Sequence, residues 1–203
     1  SLTPDHPNQM SSEKYQELVD SHIMFKDCTT DPFMRCVGFA NDWPYGRGCY
    51  ISSQKDFIIW VGEEDHLRVI SMKHGTVLND VFSRLKFGLD FIEKSDHKFS
   101  VSPDFGTVTS CPSNIGTSMR ASVHLKLPNM AHKDLSYLKD IALAHGLSVR
   151  GKFGENTPLG EGGLCDISLK ARFCISEAEI LKNLYNGIKV MLEKEHELGR
   201  SSL

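Results

Sequence analysis

Three arginines lie within segments that alternate or run apolar like β-strands, where a guanidinium group needs an anionic partner. They are Arg68, Arg120 and Arg150. A charge removed from water inside a sheet requires an opposite charge to offset its desolvation. Three separate structural ion pairs would satisfy this requirement, and so would one shared anion. Guanidinium forks bind phosphate oxygens bidentately, so three of them would neutralise most of a nucleotide polyphosphate, and we favour this second interpretation.

A histidine accompanies one of these arginines. His124 follows Arg120 by four residues in the alternating segment MRASVHLKL. At ~3.3 Å per residue, the two side chains would lie on one strand face roughly 13 Å apart, about the span of a nucleoside diphosphate. Alternating polar residues also form solvated sheet faces, so both interpretations stay open on spacing alone.

Carboxylates occur close to the arginines in two places. Glu63, Glu64 and Asp65 lie between two apolar segments just before Arg68, and Glu155 lies in the glycine-rich segment that follows Arg150. A solvated hairpin turn would also account for the acidic triplet. Carboxylates beside an arginine cluster suit an enzyme that holds a cationic nucleophile next to a phosphate, because the acids bind the cation and the arginines bind the anion.

Cys111 comes at the end of a predicted strand, directly before Pro112 and Ser113. A single cysteine is often a small buried apolar residue. Near arginines, and hydrogen-bonded by Ser113, it would instead be a thiolate and the thiol most readily alkylated. His22 completes an apolar helical stripe, which by itself predicts a packing role.

Composition narrows the class of protein. The chain has 203 residues and a net charge of −3, which gives no electrostatic reason to bind nucleic acid or an anionic membrane. We find no apolar run of membrane length and no signal peptide, and the six cysteines form no CxxC pair, so we expect a cytoplasmic protein with free thiols. Glycine-rich phosphate motifs such as GxxxxGK[ST] are missing, so a phosphate site would consist of arginines.

The elements that must position these residues follow from periodicity. Helices are predicted over 11–25, 31–40 and 76–94, the last of these with Thr76 as its N-cap. A fourth helix is predicted to end at about His145, and a fifth to run from the capping box Ser176/Glu179 to Gly199. Strands are predicted at CYIS, FIIWVG, LRVISM, FGTVTSC, MRASVHLKL, LSVRG and LCDIS. We expect one compact α+β unit, a mainly antiparallel β-sheet flanked by helices, preceded by residues 1–10 as a leader or linker.

Four segments resemble the catalytic domain of the phosphagen kinases, the ATP:guanidino phosphotransferases such as arginine, taurocyamine and creatine kinase. They are NDWPYGRG, FIIWVGEEDHLRVISM, TSCPSNIGTSMRASVHLKLP and RGKFGENTPLGEGGLCDIS. The resemblance implies reversible transfer of the γ-phosphoryl group of MgATP to the guanidino nitrogen of a small substrate. It implies Mg²⁺ with ATP or ADP as the cofactor, held mainly by the nucleotide rather than by a protein metal site, and it allows a homodimer.

The resemblance also implies roles for individual residues. Glu64 matches the carboxylate that holds the guanidinium and acts as base, and Glu155 a second substrate carboxylate. Cys111 matches the reactive cysteine, with Ser113 tuning its thiolate. The positions that match nucleotide-binding residues are His22, Arg68, Arg120, Ala121, Ser122, Val123, His124, Arg150, Gly151, Gly154 and Asp166. Under this resemblance His22 contacts the nucleotide, contrary to the packing role that its stripe predicts.

Two departures bear on the substrate and on activity. We find neither the family's small N-terminal helical domain nor its SxRxR strand, so residues 11–203 resemble a partial catalytic domain. Asn156 stands where arginine kinases carry a histidine, and the segment has one extra residue before Glu161. We expect an arginine kinase-like activity, with taurocyamine or another guanidino substrate, or a catalytically incomplete nucleotide-binding fragment, as alternatives. The resemblance disfavours creatine as the substrate, because creatine kinases carry a valine at the position of Glu155.

Overall fold

The structure is a computed structural model that describes residues 1–95, 97–151 and 158–201. The chain divides into two units: Ser1–Ser100 with Thr109–Cys111, and Val101–Val108 with Pro112–Leu203. Each unit has its own buried apolar cluster. The expectation of one core is therefore not met. The physical reason is that two three-stranded sheets bury separate apolar faces.

The first unit contains one antiparallel sheet and three helices. Its elements are α1 (Ser12–Asp20), α2 (Pro32–Cys36), β1 (Gly48–Ile51), β2 (Phe57–Val61), β3 (Leu67–Ser71) and α3 (Leu78–Lys94). The strands are ordered β1-β2-β3, so Arg68 lies on an edge strand. The three strands agree with the sequence prediction. The apolar β2 is less covered than expected, because only Ile58 is fully buried.

Helix α1 ends five residues earlier than its periodicity predicts. The N–H groups of Ile23 and Met24 both bond to the carbonyl of Leu18, and His22 has a left-handed φ of 55°. This turn directs Met24 and Phe25 into the apolar cluster of the unit. His22 therefore lies outside the helix and is exposed, so the prediction of a packing role on a helical stripe is wrong.

Residues 1–10, expected to be a leader or linker, pack within this first unit. The N–H of Leu2 donates to the carbonyl of Arg47 at 2.8 Å, and the Leu2 side chain is buried in the same cluster as Phe25. The N-terminal amine of Ser1 bonds to the carbonyl of Asn8. The prolines and polar residues of this segment thus accompany a buried apolar side chain, that of Leu2, which attaches the segment to the unit.

Helix α3 confirms the helix predicted over 76–94 but not its predicted N-cap. It begins at Leu78, and the predicted cap Thr76 lies one residue before the observed N-cap, which makes no side-chain cap bond. Gly88 allows α3 to approach β2 closely, because a Cβ at Gly88 would lie 2.3 Å from the Cζ of Phe57. Phe87 and Phe91 remain exposed.

The second unit contains a short two-stranded antiparallel sheet and the second three-stranded sheet. Its elements are β4 (Val101–Ser102), β5 (Gly106–Thr107), β6 (Ser122–Lys126), α4 (Pro128–Lys133), α5 (Leu135–Ala144), β7 (Leu147–Gly151), β8 (Leu164–Leu169) and α6 (Glu177–Ser201). Strands β6, β8 and β7 are antiparallel, with β8 in the middle. The α+β fold class with antiparallel sheets flanked by helices is confirmed.

Two predicted strands of this region are shorter than expected. FGTVTSC contributes only Gly106–Thr107, where Gly106 has a φ of 71° and a Cβ would lie 2.6 Å from the carbonyl oxygen of Gly116. MRASVHLKL contributes only Ser122–Lys126, so Arg120 precedes the strand rather than lying within it. Close backbone contact and the turn at Ser118, whose φ is 51°, end both strands early.

Helix α6 covers the apolar face of the second sheet. It starts at the predicted capping box, in which Ser176 Oγ accepts from the Glu179 N–H at 3.3 Å and Glu179 Oε2 accepts from the Ser176 N–H at 2.9 Å. The fully buried residues of α6 are Ile180, Leu184 and Met191. Among the described residues, no helix has the length and apolar character needed to cross a membrane.

Candidate functional site

The predicted site residues fall into both units. Glu64, Arg68, Cys111 and His22 belong to the first, and the remaining described candidates belong to the second. Glu155 and Gly154, predicted as a substrate carboxylate and a nucleotide contact, lie outside the described residues.

The turn between β2 and β3 carries the acidic triplet. Its ends are joined by a bond from the Gly62 N–H to the His66 carbonyl at 3.1 Å, and Arg47 Nε donates to the Gly62 carbonyl at 3.2 Å. Gly62 has a φ of 74°, and a Cβ there would lie 3.1 Å from the carbonyl oxygen of Gly46. The backbone that carries Glu64 is therefore fixed by bonds within the chain.

Two carboxylates of this turn bind one guanidinium group. Arg68 Nη2 lies 2.6 Å from Glu64 Oε1 and 2.9 Å from Glu63 Oε2, and the Arg68 guanidinium carbon lies 5.3 Å from the ring centroid of Trp60. Both glutamate side chains are mostly buried. Burial raises the pKa of Glu63 above its usual range, and the charge of Arg68 opposes that shift. The two glutamates of the turn thus hold the guanidinium group of Arg68.

The third acid of the triplet contacts the segment of Cys111. Asp65 Oδ1 accepts bonds from the N–H groups of Ser110, at 2.6 Å, and Cys111, at 3.1 Å. Thr109 Oγ1 donates to the Cys111 carbonyl at 2.7 Å. Cys111 is only 8% exposed, which argues against its expected place as the most readily alkylated thiol, because reaction requires access as well as thiolate.

A polar face of the second sheet brings several nucleotide candidates together. On the central strand β8, Asp166 lies directly opposite His124 of β6 and Arg150 of β7. Two residues further along β8, Ser168 lies opposite Ser122 of β6 and Ser148 of β7. Since side chains two residues apart share a strand face, both rows point to the same side.

Arg120 reaches this face from outside the strand. Its Nη2 donates to Asp166 Oδ2 at 2.5 Å and to Ser168 Oγ at 3.2 Å, and its Nη1 donates to Ser122 Oγ at 3.3 Å. His124 Nε2 lies 3.9 Å from Asp166 Oδ1. The side chains of Arg120 and His124 therefore converge on one carboxylate, and the expected 13 Å separation along one strand is wrong.

The remaining candidates of this unit differ in what they expose. Ala121 and Val123 pack against the apolar cluster, and Gly151 is buried at the end of β7, so these three residues offer backbone groups rather than side chains. The Ser113 carbonyl accepts a bond from Arg172 Nη1 at 2.9 Å.

Three residues of these clusters were not singled out from the sequence. Glu63 was considered only as part of a triplet, Asp65 had no assigned role, and Ser168 was not considered. The strand alternation in LCDIS places Ser168 on the same face as Asp166, so the position of Ser168 could have been predicted from the sequence. Nothing in the sequence indicates that Asp65 bonds to residues 45 and 46 positions away.

The described part of the chain contains no group of three His, Cys, Asp or Glu side chains arranged to hold a metal ion. The clusters consist instead of carboxylates that bind a guanidinium and of arginines that could bind phosphate.

Comparison with known proteins supplies the family. Residues 5–198 match the model of the ATP:guanido phosphotransferase C-terminal catalytic domain. The chain is 44% identical to arginine kinase of Limulus polyphemus over 186 residues, 92% of this chain and 51% of that protein. It is 40% identical to arginine kinase of Turbo cornutus over 189 residues, 93% of this chain and 52% of that protein. The chain thus spans about half the length of these curated relatives.

Solved structures agree with this assignment. The duplicated taurocyamine kinase of Schistosoma mansoni, with bound transition state analog components, matches with a TM-score of 0.80 and 40% identity over 93% of this chain and 26% of that one. Lombricine kinase matches with a TM-score of 0.86 and 35% identity over 96% of this chain and 54% of that one. The resemblance predicted from the sequence is confirmed: the chain belongs to the ATP:guanido phosphotransferase family and carries its C-terminal catalytic domain.

Proposed function

We propose that this chain is the catalytic half of a phosphagen kinase that moves the γ-phosphoryl group of ATP reversibly to the guanidino nitrogen of a small substrate. The observation that carries the proposal is the β2–β3 turn, where Glu63 and Glu64 already bind the guanidinium of Arg68. A substrate guanidinium has the same charge and the same planar donor geometry.

Glu64 has the central role in the proposed chemistry. Its carboxylate holds the guanidino group and takes the proton that the attacking nitrogen loses. The nitrogen forms a bond to the γ-phosphorus while the bond from that phosphorus to the bridging oxygen breaks, and ADP leaves with the oxygen. Phosphoryl transfer of this kind depends on position and charge neutralisation, so a carboxylate fixed in advance contributes strongly.

The arginines bind the phosphates in this proposal. Arg120 exchanges part of its ion pair with Asp166 for a phosphate oxygen, and Arg68 does the same with Glu63 and Glu64, which become available to the substrate. Arg150 and His124 lie in the row of Asp166 and contact the nucleotide from the same face. Asp166 keeps these cations together when the nucleotide is absent.

Mg²⁺ would be held by the nucleotide phosphates, where it lowers their negative charge during transfer. The partners that we propose are ATP or ADP and a small guanidino compound, with neither nucleic acid nor membrane among them. The family resemblance allows a homodimer. Among the described residues no cysteine forms a disulfide bond, which fits the reducing cytoplasm as the compartment.

Arginine is the substrate that we propose first, because the relatives named above are arginine kinases that share 44% and 40% identity with this chain. Taurocyamine and lombricine follow, because kinases so named match in structure. The test offers each compound with MgATP and follows the phosphorus–nitrogen product by ³¹P NMR. It uses the 203-residue chain alone and the chain joined to the N-terminal half of the Limulus polyphemus enzyme.

Transfer to one of the three compounds is the expected result, with Glu64→Gln slower by about 10²- to 10⁴-fold, the range for loss of a positioned base. The matched control is Glu93→Gln, an exposed glutamate of α3, which should leave the rate unchanged. Nucleotide binding without transfer to any compound, in both forms, would reject the kinase and leave a nucleotide-binding module.

A further inference from the structure

We propose that Asp65 is a positioning residue that fixes the backbone of Cys111 relative to the turn carrying Glu64. Its catalytic consequence rests on the proposed function, whereas the positioning itself can be measured without any activity. Asp65 follows Glu64 directly in sequence, and its carboxylate reaches a segment 45 residues further along the chain.

One carboxylate oxygen of Asp65 accepts two bonds from this segment. Asp65 Oδ1 accepts from two consecutive backbone N–H groups, those of Ser110 and Cys111. Bonds from N–H groups to an ionised carboxylate are shorter and stronger than bonds between neutral groups, and the 2.6 Å distance to Ser110 agrees with this. Neither Ser110 nor Cys111 belongs to a helix or strand, so these N–H groups are not committed to a backbone ladder.

The turn that holds Asp65 is itself fixed. The bond from the Gly62 N–H to the His66 carbonyl closes the turn. The Arg47 guanidinium donates to the carbonyl of Gly62 and to the carbonyls of Phe39 and Asn41, so it attaches the start of the turn to the loop before β1. A rigid turn can transmit its position through Asp65 to the Cys111 backbone. Asp65 thereby links the carboxylate that binds guanidinium to the thiol that the family resemblance places beside the guanidino group.

This role predicts a local effect when the carboxylate is removed. In Asp65→Ala, the amide hydrogens of Ser110 and Cys111 should exchange with solvent at least about tenfold faster, because two charge-assisted bonds no longer oppose local opening. Alkylation of the buried Cys111 thiol should rise in parallel. The exposed thiols of Cys36 and Cys174 in the same molecule provide internal controls.

Two further variants complete the exchange experiment. Asp65→Asn keeps an acceptor oxygen without the charge, so a smaller loss of protection at the same two amides is expected, and this variant decides the matter if Asp65→Ala does not fold. Asp90→Ala is the control, because Asp90 is a carboxylate of the same unit that forms an ion pair with Lys86 on α3. Unchanged exchange at Ser110 and Cys111, or an equal loss of protection throughout the first unit, would overturn the proposal.

The kinetic arm uses the form of the protein that transfers phosphoryl groups. Asp65→Ala should raise KM for the guanidino substrate and lower kcat, while KM for the nucleotide stays unchanged, and Asp65→Asn should restore part of the loss. Equal changes in both KM values would contradict a positioning role toward the guanidino group. If the unsubstituted protein transfers no phosphoryl group, the proposed function fails, and the exchange measurements still decide whether Asp65 positions Cys111.

Discussion

Glu63 and Glu64 differ in chemistry although they are neighbours that contact the same guanidinium nitrogen. Burial raises the pKa of Glu63, and the negative charges of Glu64 and Asp65 act in the same direction. The folded chain therefore holds the Glu63 proton more tightly than the unfolded chain. As the pH rises above the ordinary value of 4.5, the unfolded chain releases this proton first, so the contribution of Glu63 to folding stability falls until the raised pKa is passed.

Glu63→Gln should remove this pH-dependent loss. Compared with the parent, the variant should gain stability progressively from pH 4 to pH 7, because the glutamine cannot ionise. Urea unfolding across this pH range measures the difference. Parallel stability curves for the two proteins would contradict the prediction, and Glu93→Gln, on the exposed side of α3, should give such parallel curves.

Arg120 permits a second test at the level of single residues. If it exchanges Asp166 for phosphate, Arg120→Ala should weaken ADP binding about ten- to hundredfold, since a charge-assisted bond contributes roughly 1.5–3 kcal/mol. Isothermal titration calorimetry measures the affinity, and circular dichroism checks that the variant folds. Arg35→Ala, which removes an exposed arginine of α2, should bind ADP like the parent. Equal affinity in both variants would remove Arg120 from the nucleotide site.

Helices α4 and α6 are joined by a cap that comes from a distant part of the chain. Helix α4 begins at Pro128 without a side-chain cap of its own. The buried carboxylate of Glu195, on α6, instead accepts bonds from the N–H groups of Asn129 and Met130 at 2.9 Å each. These are N–H groups of the first helical turn, which have no partner within the helix, so Glu195 attaches α4 to α6.

Loss of this cap should destabilise the second unit. Glu195→Ala leaves two N–H groups without their acceptor and should lower the free energy of unfolding by about 2–4 kcal/mol. Glu193→Ala, at an exposed position on the same helix, should change it by less than about 0.5 kcal/mol. Chemical denaturation measures both. Equal effects of the two substitutions would show that Glu195 has no special role in capping α4.

The same elements indicate what a sequence can predict. The capping box at Ser176 and the three strands of the first unit follow from local patterns, and they were predicted correctly. The segment after Leu127 was predicted as one helix, but Asp134 adopts an extended conformation and caps α5 through Ser136. The Glu195 cap joins residues 65 positions apart. Contacts of that range depend on how helices pack, which local periodicity does not contain.

At the scale of the whole chain, the residues of the candidate site were easier to predict than the strand pairing that brings them together. Arginines, a histidine and carboxylates were expected to form a site, and the sheet register does place Asp166 between His124 and Arg150. The order β6-β8-β7, which creates that row, cannot be inferred from alternation, because alternation states which face a side chain occupies and not which strand lies beside it.

The distribution of thiols gives a prediction for the whole molecule. Cys36 and Cys174 are exposed, Cys49 is half-buried, and Cys28, Cys111 and Cys165 are buried. Since alkylation requires an accessible thiolate, Cys36 and Cys174 should react first when the native, ligand-free chain is treated briefly with iodoacetamide at neutral pH. Cys165 should react last, because it is completely buried and burial raises its pKa to about 12.

Peptide mapping by mass spectrometry gives the order of labelling, and the denatured chain, in which all six thiols should react, is the reference. The position of Cys111 in this labelling order shows which of two physical effects is larger. Its burial predicts labelling after Cys36 and Cys174, whereas the reactive role implied by the family resemblance predicts labelling before them. If Cys111 reacts first, its thiolate character outweighs its restricted access, and the 8% exposure of the residue does not limit its chemistry in solution.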